Sequence, residues 1–187
     1  MIAKDNNTRN LFLIVLIIVA AVFRVLAVYI PALSNFTPVG AIALFGGVYF
    51  KEKWKGYVVV LATLFFTDIL INYLRTSTIT LGYTVTFWVY VSFILMVWVG
   101  SLIKKVNVQN ILLASTAPVL IHWLLTDFPG DMYPHTLAGY GQSLVAAIPF
   151  EYNLVYGTLV FSAILFGGFE LAKTKYTVLQ DKKQLAL

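Results

Sequence analysis

The 187-residue chain contains no cysteine. Disulfides, thiolate metal sites and cysteine nucleophiles are therefore excluded, and the redox compartment is left open. Charge is also scarce: Asp, Glu, Lys and Arg make up 11% of the residues, where a soluble domain carries about 25%. So few charges cannot cover a water-facing surface. No glycine-rich phosphate loop and no paired-carboxylate pattern is present, and the first apolar run shows no convincing signal-cleavage site. Ser115 and His122 lie seven residues apart on one expected helix. At 1.5 Å rise that is about 10 Å, too far for a nucleophile and its base. An enzyme is not expected, and no cofactor is called for.

What the chain does have is apolar length. It is 60% hydrophobic, and it has room for five or six spans of ~20 residues each. The expected fold is an all-α membrane protein, a six-transmembrane-helix bundle. Residues 1–10 read as a polar tail, 11–172 as a single transmembrane domain, and 173–187 as a second tail. The spans read as Leu11–Ile30, Val39–Phe50, Tyr57–Leu74, Thr84–Ile103, Ile111–Thr126 and Tyr152–Ala172. The second is short and interrupted by glycine, a pattern that can mark backbone lining a cavity instead of meeting lipid. Asp127–Pro149 reads as the longest loop, with a short surface helix over Thr136–Ile148.

Lysine and arginine set the orientation. With six crossings and an inside N-terminus, eleven of the thirteen basic residues fall on the inner side. Only Arg75 falls outside, and Arg24 lies within a span. Both termini are therefore expected to be cytoplasmic. The formal charge of +5 is read as a topology signal, not as a nucleic-acid patch.

Charges within spans cost at least ~2.5–3.5 kcal/mol each on insertion scales. Arg24 and Asp68 are the two clear cases, and both fall in the outer half at similar depth. They are expected to approach each other, as a structural ion pair or as part of a ligand cavity. Asn72 lies one turn beyond Asp68 on the same helix face. It serves either as helix–helix glue or as cavity lining. His122 precedes Trp123 in the outer half of the fifth span, just before Asp127. It reads as a hydrogen-bonded structural histidine, a proton-sensitive switch, a metal ligand or a ligand contact. His135 lies in the long loop; with His122 and Asp127 it matches no metal spacing, so no metal site is assigned. The outer side also gathers aromatics, among them Trp88, Trp123, Tyr83, Phe128 and Tyr133. With them come the polar residues Asn35, Thr37, Asp127, Asp131, Gln142, Glu151 and Asn153. Apolar walls with a few polar groups are what a small-molecule pocket needs.

The run Asn35-Phe-Thr-Pro-Val-Gly-Ala-Ile-Ala-Leu-Phe-Gly-Gly47 resembles an uncharacterised bacterial family of small transport-type membrane proteins. Thr67-Asp68, Tyr133-Pro-His-Thr-Leu-Ala-Gly139 and Ala147-Ile-Pro-Phe150 fit it as well. That family looks like the substrate-binding S components of energy-coupling-factor vitamin transporters. The resemblance implies six helices, both termini inside, an outward pocket and multi-pass insertion in the bacterial cytoplasmic membrane. It also implies a vitamin-like micronutrient as ligand, with a membrane scaffold protein and two ATPases as partners. S components often carry Ala-x-x-x-Ala in the first span, a spacing that Ala20, Ala21 and Ala27 do not form. A solitary transporter or a subunit of another complex stays open.

The leading expectation is a substrate-binding transport protein. Its ligand contacts would be Arg24, Asn35, Thr37, Asp68, Asn72, Trp88, His122, Trp123, Asp127, Tyr133 and His135. The alternative is a structural accessory subunit of a larger membrane complex, its polar residues serving helix packing.

Overall fold

The computed structural model describes residues 2–79, 86–127 and 132–180. Among them there are six α-helices and no strand: α1 Ile2–Leu26, α2 Val39–Tyr49, α3 Lys53–Thr76, α4 Thr86–Leu102, α5 Val108–Thr126 and α6 Leu137–Lys175. Single 3-10 turns follow α1 (Ala27–Tyr29 and Pro31–Leu33) and α6 (Thr177–Leu179). Four segments are long and apolar enough to cross a membrane: Asn6–Tyr29, Lys53–Thr76, Val108–Thr126 and Leu137–Lys175. The described residues are those of a helical membrane protein.

The helices are apolar on both sides, for two different reasons. On α1, Leu13, Ile17, Ala20 and Ala21 are buried, while Leu11, Val15, Ile18 and Val22 are exposed. The two sets lie on opposite faces at helical spacing. A soluble helix would carry charge on the outer face; here that face is hydrocarbon, as lipid contact requires.

α2 is the centre of the bundle. Ten of its eleven residues are buried, and it touches all five other helices. Eleven residues rise about 16 Å, about half of a ~30 Å hydrocarbon core, so α2 meets protein instead of lipid along its length. Two glycines allow α4 to come close. A Cβ on Gly47 would overlap the Val97 carbonyl, and one on Gly100 would stand 2.5 Å from the Leu44 carbonyl. The Gly46-Gly47 pair thus serves tight packing, as its apolar setting suggests. Phe45 and Tyr49 then pack edge-on against Phe169 of α6, with centroids 5.7 and 4.4 Å apart.

Several boundaries differ from the sequence reading: α3 begins at Lys53 and not Tyr57, α5 begins at Val108 and not Ile111, and three differences are larger. Residues 2–10, expected as a tail, are the first turns of α1, and Arg9 among them is buried. The second expected tail is helical through Lys175, and Leu179 beyond it is buried. The expected surface helix and sixth span are one helix, the 39-residue α6. Pro149 lies inside it and gives up one i→i−4 bond. The loop was expected to end at Pro149 and the span to begin at Tyr152, but α5 bonds α6 on both sides of that point, Trp123 to the Leu144 carbonyl and Ser115 to Ser162. The expected start of the fourth span at Thr84 lies outside the described residues.

Helix direction alternates along the chain. Arg24, Gly40, Asp68, Val89, His122 and Leu154 meet at one end of the bundle. Arg9, Tyr49, Lys53, Ile103 and Glu170 meet at the other. One end is thus polar with mixed character, and the other is rich in lysine.

Candidate functional site

Arg24 stands in the last turn of α1. Its Nη2 donates to Asp68 Oδ1 at 2.6 Å, and its Nη1 donates to Thr67 Oγ1. The side chains are 21% and 29% exposed, so the expected pair forms at the edge of open space. Thr67 is itself tied back along α3, its hydroxyl reaching the Thr63 carbonyl at 2.9 Å. This fixes the acceptor side of the pair on a rigid element.

The open space is a cavity of about 350 Å³ at the polar end of the bundle. α3 contributes Asp68, Asn72 and Arg75, a polar stripe at i, i+4 and i+7. α4 contributes an apolar and aromatic wall of Val89, Tyr90, Phe93 and Met96. Pro118 and His122 come from α5, and Leu154 from α6.

The loop between α1 and α2 closes one side with Asn35, Phe36 and Thr37. Asn35 takes a left-handed conformation, φ 62°, which Asn adopts more readily than most side-chain-bearing residues. The loop is held from α6. Asn153 Nδ2 donates to the Ser34 carbonyl at 2.8 Å. Gly157 gives the loop room, since a Cβ there would stand 2.7 Å from the Thr37 amide nitrogen. Phe36 packs against Phe23 and Phe161, centroids 5.9 and 6.0 Å away.

Six of the eleven residues expected at a ligand site line this cavity: Arg24, Asn35, Thr37, Asp68, Asn72 and His122. The other five do not. Trp88 packs on Phe87 with ring centroids 5.4 Å apart. Trp123 is turned toward α6, its Nε1 donating to the Leu144 carbonyl at 2.9 Å. Tyr133 and His135 lie outside the lining, His135 being exposed. Tyr83, Phe128 and Asp131 lie outside the described residues.

Asp127 joins a separate group. It lies just past α5, with His122 and Glu151, and one ligand atom from each falls within 4.8 Å of the others. Burial pushes the Asp127 carboxyl up to about 6; His122 opposes the rise and Glu151 adds to it. Glu151 takes the place that the sequence reading considered for His135. Ser115, the other polar residue of α5 weighed for chemistry, donates to Ser162 of α6 at 3.0 Å and serves packing.

Sequence reasoning missed Arg75, Tyr90, Phe93 and Met96 as lining residues. Arg75 was legible at seven residues from Asp68. The α4 residues carry no signal that separates a cavity wall from lipid-facing apolar surface.

The opposite end holds a second cavity of about 500 Å³, lined by Arg9, Lys51, Lys53, Lys104, Lys105 and Lys173 around Glu170. It is larger but cation-rich. Its lining also includes Val48, Tyr49, Phe50 and Ile103, but six cations around one acid set its character and suit an anion more than a mixed small-molecule site.

No curated protein matches the chain, and no solved structure does. A family model matches residues 4–181, nearly the whole chain. By that match, the protein belongs to the family of unknown function DUF6580.

Proposed function

We propose that the protein binds a small polar molecule in the cavity at the Arg24–Asp68 end as part of membrane transport. The observation that carries this reading is the cavity itself. Its volume of about 350 Å³ falls in the ~300–1,000 Å³ range of ligand sites. It combines an ion pair, Asn72 and His122 with an aromatic wall. A purely structural ion pair has no need of such space beside it.

The topology belongs to the same proposal. All six helices cross, both termini are cytoplasmic, and the cavity opens outward. The alternating helix direction and the lysine-rich opposite end support this reading through the positive-inside bias. The resemblance to S components adds a vitamin-like micronutrient as the ligand class, and a membrane scaffold protein with ATPases as partners.

In this reading Asp68 and Arg24 offer one acceptor and one donor edge to the ligand, Asn72 offers both, and Tyr90 and Phe93 cover its apolar face. No reaction is assigned to the site. The test is to purify the protein from membranes and identify co-purifying small molecules by mass spectrometry. A stoichiometric small molecule is expected. No small molecule, together with a stoichiometric protein partner, overturns the reading and favours an accessory subunit.

A further inference from the structure

The end of α5 and the first half of α6 gather three metal-competent side chains beside the cavity. His122, Asp127 and Glu151 each present one ligand atom, all within 4.8 Å of one another. Glu151 is only 7% exposed. Its Oε1 lies 3.4 Å from His122 Nδ1. Its second oxygen, Oε2, is buried with no hydrogen-bond partner among the described residues, and Asp127 Oδ2 is in the same condition.

A buried carboxylate oxygen without a hydrogen-bond partner carries a desolvation cost. Two beside one imidazole leave a site short of positive charge. The contact of α5 with α6 has other bonds to hold it, such as Trp123 Nε1 to the Leu144 carbonyl and Ser115 to Ser162. The local hydrogen bonds instead hold the cluster in place: Ser143 Oγ donates to the Asp127 carbonyl at 2.6 Å, and Tyr140 OH donates to the Leu124 carbonyl. Both bonds tie the last turn of α5 and the residue after it to α6.

We propose that His122, Asp127 and Glu151 bind one first-row divalent transition-metal ion, of the zinc or manganese kind. One imidazole and two carboxylates form a nitrogen–oxygen donor set, which suits such ions better than magnesium or calcium. In tetrahedral zinc sites, bonds of ~2.1 Å place ligand atoms about 3.4 Å apart. His122 and Glu151 already stand at 3.4 Å, the widest separation closes by at most about 1.4 Å from 4.8 Å, and solvent or a ligand from the cavity completes the shell. His122 also lines the cavity, so the ion sits at its margin. The metal site stands whether or not the cavity carries a transported molecule.

The test uses the full chain in detergent, stripped with chelator and titrated calorimetrically with Zn²⁺, Mn²⁺ and Mg²⁺ separately. One equivalent of Zn²⁺ or Mn²⁺ is expected to bind more tightly than Mg²⁺. Losing a group that merely orients a metal ligand already costs about 10–100-fold in metal affinity; Glu151→Gln, which removes a direct ligand, is expected to cost at least about 100-fold. Glu52→Gln, an acid at the other end of the bundle, is expected to leave affinity unchanged. Asp127→Asn, at the half-exposed edge of the cluster, carries the test if Glu151→Gln does not fold. Absence of saturable Zn²⁺ and Mn²⁺ binding overturns the proposal. So does binding left intact by Glu151→Gln or Asp127→Asn, or Mg²⁺ binding as tightly as either transition metal.

Discussion

Removing Asp68 strands the Arg24 guanidinium, which then faces Thr67 alone. Hydrogen bonds to charged groups contribute about 1.5–3 kcal/mol, so Asp68→Ala is expected to destabilise by about that amount. The double change Arg24→Met with Asp68→Leu removes both charges and leaves nothing stranded. It is expected to be more stable than Asp68→Ala, since an apolar pair often replaces an ion pair without loss. Denaturant unfolding in detergent measures both; a double variant no more stable than the single one contradicts this account. This pair was legible in the sequence, because two lone charges at equal depth in lipid have few other ways to be satisfied. Glu151 was not. It lies two residues after Pro149 in a stretch that reads as a loop end, and only the tertiary packing of α6 against α5 brings it to His122.

Among the elements, α2 depends most on its neighbours. Gly100 of α4 stands against the Leu44 backbone, where even one methyl group has no room. Gly100→Ala is expected to cost about 1–3 kcal/mol, the usual cost of overpacking. Gly141, inside α6, has open space for 4 Å around the place a methyl group would take. There Gly141→Ala is expected to stabilise by roughly 0.5–1 kcal/mol, through the lower backbone entropy of alanine in a helix. Opposite signs in thermal unfolding are the expected outcome; equal effects contradict the close α2–α4 approach. The role of Gly46-Gly47 in packing followed from its apolar setting. The continuity of α6 did not follow, because a proline and a polar run normally mark a boundary, and here neighbouring helices override that preference.

For the whole molecule, the absence of cysteine becomes an experimental advantage. Single cysteines can be introduced without background, Asn35→Cys at the polar end and Lys105→Cys at the lysine-rich end. In spheroplasts, a membrane-impermeant thiol reagent is expected to label Asn35→Cys, and to label Lys105→Cys only after permeabilisation. The reverse pattern contradicts the proposed orientation. The separation of a polar end from a basic end was readable from charge placement along the chain. The cavity between the helices was not readable, because its volume depends on how side chains of distant segments fill the gap around α2.

The central claim is that this cavity holds a small molecule, and occupancy measures it most directly. Native mass spectrometry of the protein released from membranes is expected to show one stoichiometric small-molecule adduct on the wild-type chain. Asn72→Leu, which replaces a polar lining group with a bulkier apolar one, is expected to lose the adduct while the protein remains folded. A wild-type chain without any adduct, or an adduct that Asn72→Leu retains in full, would contradict the account.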